Sequence, residues 1–287
     1  MCNVQSTFGL DAAFSLYTLH PYTLHVPPMP LCRADKLLLS GGAAAASGAV
    51  LFGPLGAAVP AGALLALMMD GIFRPTSSVF FPTLSHGARD RNEVALTFDD
   101  GPDPELTPRI LDVLAGHGAQ ATFFVIGRHL EAHAAIGRRA VEEGHELGNH
   151  SWQHSYLQNF YSTSRYAADV QRASELIRQV SRADEEPLFR APVGLKSPGL
   201  ARVAQARRLR MIAWSLHSRD TFSRDPAATA ARVLSHIRPG DIVLLHDGHE
   251  HRSGQRRAGL DALPSILTGL KQRGLRSVTV SRLLAER

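Results

Sequence analysis

Cysteine is nearly absent from this 287-residue chain: Cys2 and Cys32 are its two, and both precede the stretch with globular patterning. That excludes a disulfide framework or a cysteine-ligated zinc site in the later part. Internal repeats, low-complexity tracts and a glycine-rich phosphate loop are absent too. "GDIVLLHDG" (240–248) has glycines but not the GxGxxG spacing. No basic cluster carries interleaved aromatics, so nucleic-acid binding has no support. Lys and Arg number 31 against 26 Asp and Glu, a formal charge of +5. Such a mild balance reads as a solvated surface, compatible with an anionic cell-surface polymer or lipid headgroups. With 44% hydrophobic residues, the chain can bury one large core or two small ones.

Charge is missing altogether from residues 37–69, "LLLSGGAAAASGAVLFGPLGAAVPAGALLALMM". This run exceeds the roughly 20 apolar residues that cross a bilayer. The expected organisation is a tail over 1–36, disordered in part, a membrane segment over 37–70, a linker over 71–92 and a globular domain over 93–287. Met29 is an alternative start. Arg33 and Lys36 before the run, against Asp70 and Arg74 after it, orient a single tilted span with its N-terminal side in the cytoplasm. The C-terminal domain then lies outside. A turn at Gly53-Pro54 gives instead a hairpin with both ends on one side. A cleaved signal peptide or a buried Ala/Gly-rich core helix are the remaining readings.

From residue 93 strand-like and helix-like stretches alternate. Strands are expected at 93–98, 121–126, 145–149, 187–190, 211–217, 241–246 and 277–280. Helices are expected at 107–118, capped by Thr107 with Pro108 in the first turn, and at 129–143, 163–182, 198–208, 226–237 and 258–273. About seven βα units predict a parallel sheet closed into a distorted (β/α) barrel; an open doubly wound sheet is the second choice.

A barrel demands its functional groups at the C-terminal ends of strands. Asp99 and Asp100 follow "VALTF"; His150 and His154 follow "HELGN". Arg190 ends the short strand, His217 and Asp220 follow "MIAWSL", and His246 and Asp247 follow "DIVLL". The i, i+4 histidines of "HSWQH" suit two ligands on one helical face, about 6 Å apart. With a carboxylate they form a His-His-Asp site for zinc or a similar divalent ion. Adjacent Asp99 and Asp100 point to opposite faces of a regular strand, so both function only if the chain leaves strand geometry at Gly101-Pro102. One carboxylate then binds metal and the other serves as general base, oriented by a cation such as Arg190. His246 is the natural general acid, with Asp220 to keep it charged. Asp247 reads as a cap or turn acid, and "HEHR" (249–252) as a solvated loop or a further metal contact.

These stretches resemble the polysaccharide deacetylases, the NodB-homology family (carbohydrate esterase family 4), over roughly 93–284. The similarity is carried by "TFDDGPDPELTPRIL", "ATFFVIG", "GHELGNHSWQHSYL", "FRAPVG", "WSLHSRDT" and "GDIVLLHDG", in the family's order. The resemblance implies Asp99 as catalytic base and Asp100, His150 and His154 as ligands of one divalent metal, zinc first, with Co2+, Ni2+ or Mn2+ as alternatives. It implies Arg190 as the residue positioning the base, the Val193 amide as an oxyanion donor, Leu244 in the groove, and His246 as acid with Asp220 as its partner. Two departures stand out: Asp220 precedes Thr221 where the family carries Trp, and Ala191 and Val193 replace bulkier or stiffer residues. The implied activity is removal of N-acetyl groups from an amino-sugar glycan. Alternatives are the same chemistry on a small C–N substrate or a lipid-linked sugar, or a silent membrane-tethered glycan-binding protein.

Overall fold

The computed structural model describes residues 31–184, 187–248 and 257–285. Cys2, Met29 and the "HEHR" loop lie outside them.

The uncharged run forms most of α1 (Arg33–Phe73), which is interrupted at Gly53, where φ is 69° and ψ −164°. A Cβ added to Gly41 would meet Leu64 Cδ1 at 2.8 Å, and one on Gly48 would meet the Gly56 carbonyl at 2.2 Å. In a continuous helix residues 41 and 64 would lie about 35 Å apart. The chain therefore doubles back, and α1 is a helical hairpin. Gly53 supplies the positive φ, Pro54 lacks the N–H that would continue the first arm, and glycines at 48 and 56 let the backbones touch. Of the two membrane arrangements the sequence allowed, the single tilted span is overturned, because both ends of α1 lie at the domain. The buried core helix is overturned as well, since the most apolar 18-residue window is wholly unburied.

The base of the hairpin is tied down. Asp35 pairs with Arg202 at 2.6 Å. Cys32 and Ala34 are buried in a cluster with Phe80, Phe81, Tyr166 and Leu200, against which Leu37, Met68 and Ile72 pack. The stretch 71–92, expected as a linker, contains buried Phe80 and Phe81 and the short strand β1 (Thr83–Leu84).

After β1 come β2 (Glu93–Asp99), α2 (Leu106–Gly116), β3 (Ala121–Val125), α3 (Gly127–Ala132), α4 (Ala134–Glu142) and β4 (Glu146–Asn149). Then follow α5 (Thr163–Ser181), α6 (Pro198–Arg207), β5 (Met211–Ile212), β6 (Leu216–His217) and α7 (Pro226–His236). The chain closes with β7 (Ile242–His246), α8 (Arg257–Gln272), β8 (Arg276–Ser277) and α9 (Val280–Leu284). The parallel order is β4-β3-β2-β7-β6, with β8 beside the start of β2 and β1 paired with β5. Phe189 bridges Asn149 to Met211, and His86 bridges to Asp241, so the strands curl into a distorted barrel rather than an open sheet.

β2 shows why. Val94, Leu96 and Phe98 join the outer core under the helices, along with Ile110, Leu114 and Leu263. The alternate residues Ala95, Thr97 and Asp99 face inward, as the two-residue period requires. Local departures have local causes. α2 begins before Thr107, because Asp103 accepts the Glu105 and Leu106 amides at 2.8 Å each and supplies the cap. The expected helix at 129–143 is two, broken at His133 (φ −129°, ψ 41°). The strand expected at 211–217 breaks at Ala213–Ser215, and 187–190 contributes the Phe189 bridges alone.

Candidate functional site

Parallel register sets Asp99 beside His246 on the adjoining strand. Asp99 ends the inward column of β2. The guanidinium of Arg190 reaches that column from below, donating from Nη1 to Asp99 Oδ1 at 2.6 Å and to Thr97 Oγ1 at 2.8 Å. Its Nη2 donates to the Ala213 carbonyl at 3.3 Å, and the group lies 4.0 Å above the Phe124 ring. Both members of the pair are buried. Burial weakens the hold of Arg190 on its proton, and the Asp99 charge opposes that.

Asp100 leaves the strand. Its φ is 78°, so its carboxylate also turns into the site. This departure, expected at Gly101-Pro102, is enforced from outside. A Cβ on Gly101 would meet the Asp247 carboxylate at 2.1 Å, and one on Gly248 would meet the Asp100 carbonyl at 2.2 Å. Asp247, given no specific role from the sequence, is wholly buried. It accepts the Gly101 amide at 3.1 Å and the Thr107 hydroxyl at 2.6 Å. Burial and the charges of Asp100, Asp99 and Asp103 push it up to about 7, despite the Thr107 bond. It buttresses the loop that carries Asp100.

His150 and His154 do not share a helical face, as their spacing suggested. They lie in the loop after β4, where Ser151 (φ 68°) and His154 (φ 51°) take left-handed conformations. Asn149 fixes that loop: its Oδ1 accepts the Ser151 amide at 2.7 Å, while its Nδ2 donates to Val170 and Ser174. Ser151 Oγ accepts the His154 amide at 2.9 Å. The rings end 4.8 Å apart. Asp100 Oδ1 lies 3.7 Å from His150 Nε2 and 3.4 Å from His154 Nε2. One potential ligand atom from each of the three falls within 4.8 Å of the others, and all three residues are buried.

This donor set fits a divalent ion. His150 Nδ1 contacts the Arg190 carbonyl at 2.8 Å, so that nitrogen donates and Nε2 carries the lone pair. Burial lowers His150 to about 4, against the pull of Asp99, so the ring is neutral near pH 7, the ligating form. Asp99 Oδ2 stands 3.7 Å from His150 Nε2, beside the triad.

On the other wall, Asp220 accepts the His246 amide at 2.8 Å and faces His246 Nδ1 at 3.0 Å. Burial opposes the imidazolium. The Asp220 charge and hydrogen bond, with Asp100 and Asp99, outweigh it and lift His246 to about 9. The same pairing holds Asp220 below the usual carboxylate range, against its own burial. His217, which the sequence placed at the rim without a role, has its ring 6.2 Å from that of His246 and accepts the Arg219 amide on Nδ1 at 2.9 Å. Burial and the neighbouring His246 lower it.

Val193 sits in a short turn, Pro192–Gly194, at φ 49° and ψ 15°. A β-branched residue avoids that region, which marks the turn as strained. Leu244 lies two residues before His246 on the same face of β7, buried one layer deeper. The structure thus brings Asp99, Asp100, His150, His154, Arg190, Asp220 and His246 together at one end of the barrel.

Residues 86–212 match the profile of the polysaccharide deacetylase family. A peptidoglycan-N-acetylglucosamine deacetylase of Bacillus cereus is 37% identical over 193 residues, 67% of this chain and 87% of that one. A chitooligosaccharide deacetylase of Azorhizobium caulinodans is 32% identical over 193 residues, 65% of this chain and 91% of that one. Among solved structures, a peptidoglycan N-acetylglucosamine deacetylase bound to a naphthyl N-hydroxybenzamide superposes with a TM-score of 0.65 at 31% identity, covering 70% of this chain and 92% of that one. A family 4 acetyl xylan esterase from Clostridium thermocellum, holding a cobalt ion, gives 0.59 at 36% identity, covering 67% and 89%. Sequence, fold and site agree, and the chain belongs to the polysaccharide deacetylases of carbohydrate esterase family 4.

Proposed function

We propose that this protein is a metal-dependent hydrolase that removes N-acetyl groups from an amino-sugar glycan, with its site formed by Asp99, Asp100, His150, His154, Arg190, Asp220 and His246. The observation that carries this reading is the buried Asp100–His150–His154 triad with a positioned carboxylate, Asp99, 3.7 Å from His150, and a charged imidazole, His246, in register beside that carboxylate. Asp100, His150 and His154 would hold the ion. Two imidazoles and one carboxylate suit zinc, with Co2+, Ni2+ or Mn2+ as substitutes. When bound, the ion supplies Lewis acidity and brings the pKa of water towards about 7.

The chain's own groups divide the remaining work. Asp99, held in place by the Arg190 guanidinium, accepts the proton of the attacking water. The Val193 amide donates to the oxygen that becomes negative as the acetyl carbon turns tetrahedral; a backbone donor serves there whatever the side chain. His246, with Nδ1 turned to Asp220, has Nε2 as the nitrogen left to carry a proton to the departing amine. Cleavage of the C–N bond then leaves acetate and a free amino sugar. Leu244 forms part of the floor beneath His246.

The hairpin anchors the domain to the cell membrane. Its flanking charges no longer orient it as a single span would be, because Arg33, Lys36 and Arg74 all lie at the domain face, which the positive-inside rule assigns to the cytoplasm. A periplasmic or extracellular domain therefore rests on the glycan substrate alone. The activity is tested by incubating the metal-loaded protein with chitin oligomers and peptidoglycan fragments. Matching release of acetate and free amine supports it; intact substrates throughout the panel refute it.

A further inference from the structure

Exposed large apolar side chains are not scattered over the barrel. Off the hairpin and its lead-in Leu31, those among the described residues are Leu84, Tyr156, Leu157, Phe160, Val193 and Phe222. All but Leu84 stand on the loops after β4, after Phe189 and after β6, the end of the barrel that holds the metal triad. Phe160 and Phe222 are 84% and 82% exposed, and no solvation argument favours two such rings on one rim.

The hairpin emerges beside that rim. The Lys196 amide donates to the Ile72 carbonyl at 3.2 Å, in the last turn of α1. Gly194, next to Val193, lies so close to Pro75 that an added Cβ would meet Pro75 Cγ at 2.9 Å. Tyr161, next to Phe160, packs on the cluster that holds Leu37, Met68 and Ile72. The loops that frame the mouth are therefore fastened to the two ends of an apolar hairpin whose arms of about 20 residues match a bilayer's hydrocarbon thickness of about 30 Å. A cleft of about 830 Å³ opens on the His154 side, lined by Arg128, Arg165 and Arg172 with one carboxylate, Asp169, and Arg172 also pairs with Glu131 at 3.4 Å. Arginine is suited to bidentate contact with phosphate oxygens.

From this continuity we infer that the mouth of the site rests on the membrane surface and that the substrate is an N-acylated amino sugar borne by a membrane phospholipid, presented at headgroup level. The apolar rim dips among the acyl chains, the arginine-lined cleft takes the phosphate linkage, and the sugar's acetamido group reaches the triad. The inference rests on the deacetylase reading. It also removes a conflict, since a lipid-borne sugar is available on whichever face the basic flanks select.

The test uses the full-length, metal-loaded protein in phosphatidylethanolamine–phosphatidylglycerol vesicles. One probe is a synthetic phospholipid carrying N-acetylglucosamine on its phosphate; the other is soluble triacetylchitotriose. Acetate release is expected to favour the lipid-borne sugar by about tenfold or more in kcat/KM, and Phe160→Asp should lower that rate about tenfold while sparing chitotriose. A fluorophore on Phe160→Cys should be quenched by brominated lipids, and one on Lys271→Cys, at the far end of the barrel, should not. Equal rates on both probes, equal sensitivity to Phe160→Asp, or quenching no greater at 160 than at 271 would overturn the inference and leave deacetylation standing. Release from neither probe would overturn the deacetylase reading and this inference with it.

Discussion

Arg190 holds Asp99 by an ion pair of 2.6 Å in which both partners are buried. The carboxylate beside the Asp100–His150–His154 triad is thus pinned by a cation with no solvent to replace it. Arg190→Met leaves Asp99 buried and uncompensated, and costs about 3–5 kcal/mol of stability. Urea unfolding measures it. A loss under about 1 kcal/mol would mean that the pair is screened as surface pairs are.

Asp99→Asn keeps the shape and removes the proposed base. Turnover is expected to fall about 10²- to 10⁴-fold with metal content nearly unchanged, while the unfolding midpoint drops because Arg190 is left buried without its counter-charge. Steady-state acetate release alongside metal analysis checks this; wild-type turnover in the variant would remove Asp99 from its role.

As the proposed acid, His246 must be protonated, so the alkaline limb of the kcat/KM profile should follow its pKa, raised to about 9. Burial alone pulls this imidazole down; Asp220 is the leading influence lifting it. In Asp220→Asn the protonated form is lost at lower pH, and the alkaline limb moves to lower pH while the acid limb stays. A profile that keeps its alkaline limb would separate Asp220 from the acid.

Much of this was legible in the sequence, and the exceptions share a cause. Strands with a continuous apolar run, such as β3 and β7, and helices with a clear stripe and cap, such as α5 with Ser162, announce themselves locally. The rim residues were legible because a parallel barrel collects strand ends. What the sequence concealed depends on distant partners. The geometry of His150 and His154 comes from Asn149 bonded across to α5, not from their spacing. Asp247 looked like turn chemistry, and its role appears once the loops at 101 and 248 are seen in contact. The hairpin was an open choice because Gly53-Pro54 permits a turn without compelling one. The contacts of Gly41 and Gly48 with the returning arm decide it.

That hairpin predicts topology. In a background with Cys2 and Cys32 replaced by Ser, cysteines placed at Leu31 and Arg74 should react with an impermeant maleimide from the same side of sealed vesicles. Labelling from opposite sides would restore the single span.

The most direct test of the central claim is the metal stoichiometry of the folded chain. Dialysed against zinc, the wild-type protein should hold one ion, measured by mass spectrometry under native conditions. Asp100→Ala, His150→Ala and His154→Ala, each shown to be folded by circular dichroism, should each lose it, with acetate release falling in parallel. A wild-type chain that binds no ion, or three variants that each retain one, would contradict the account.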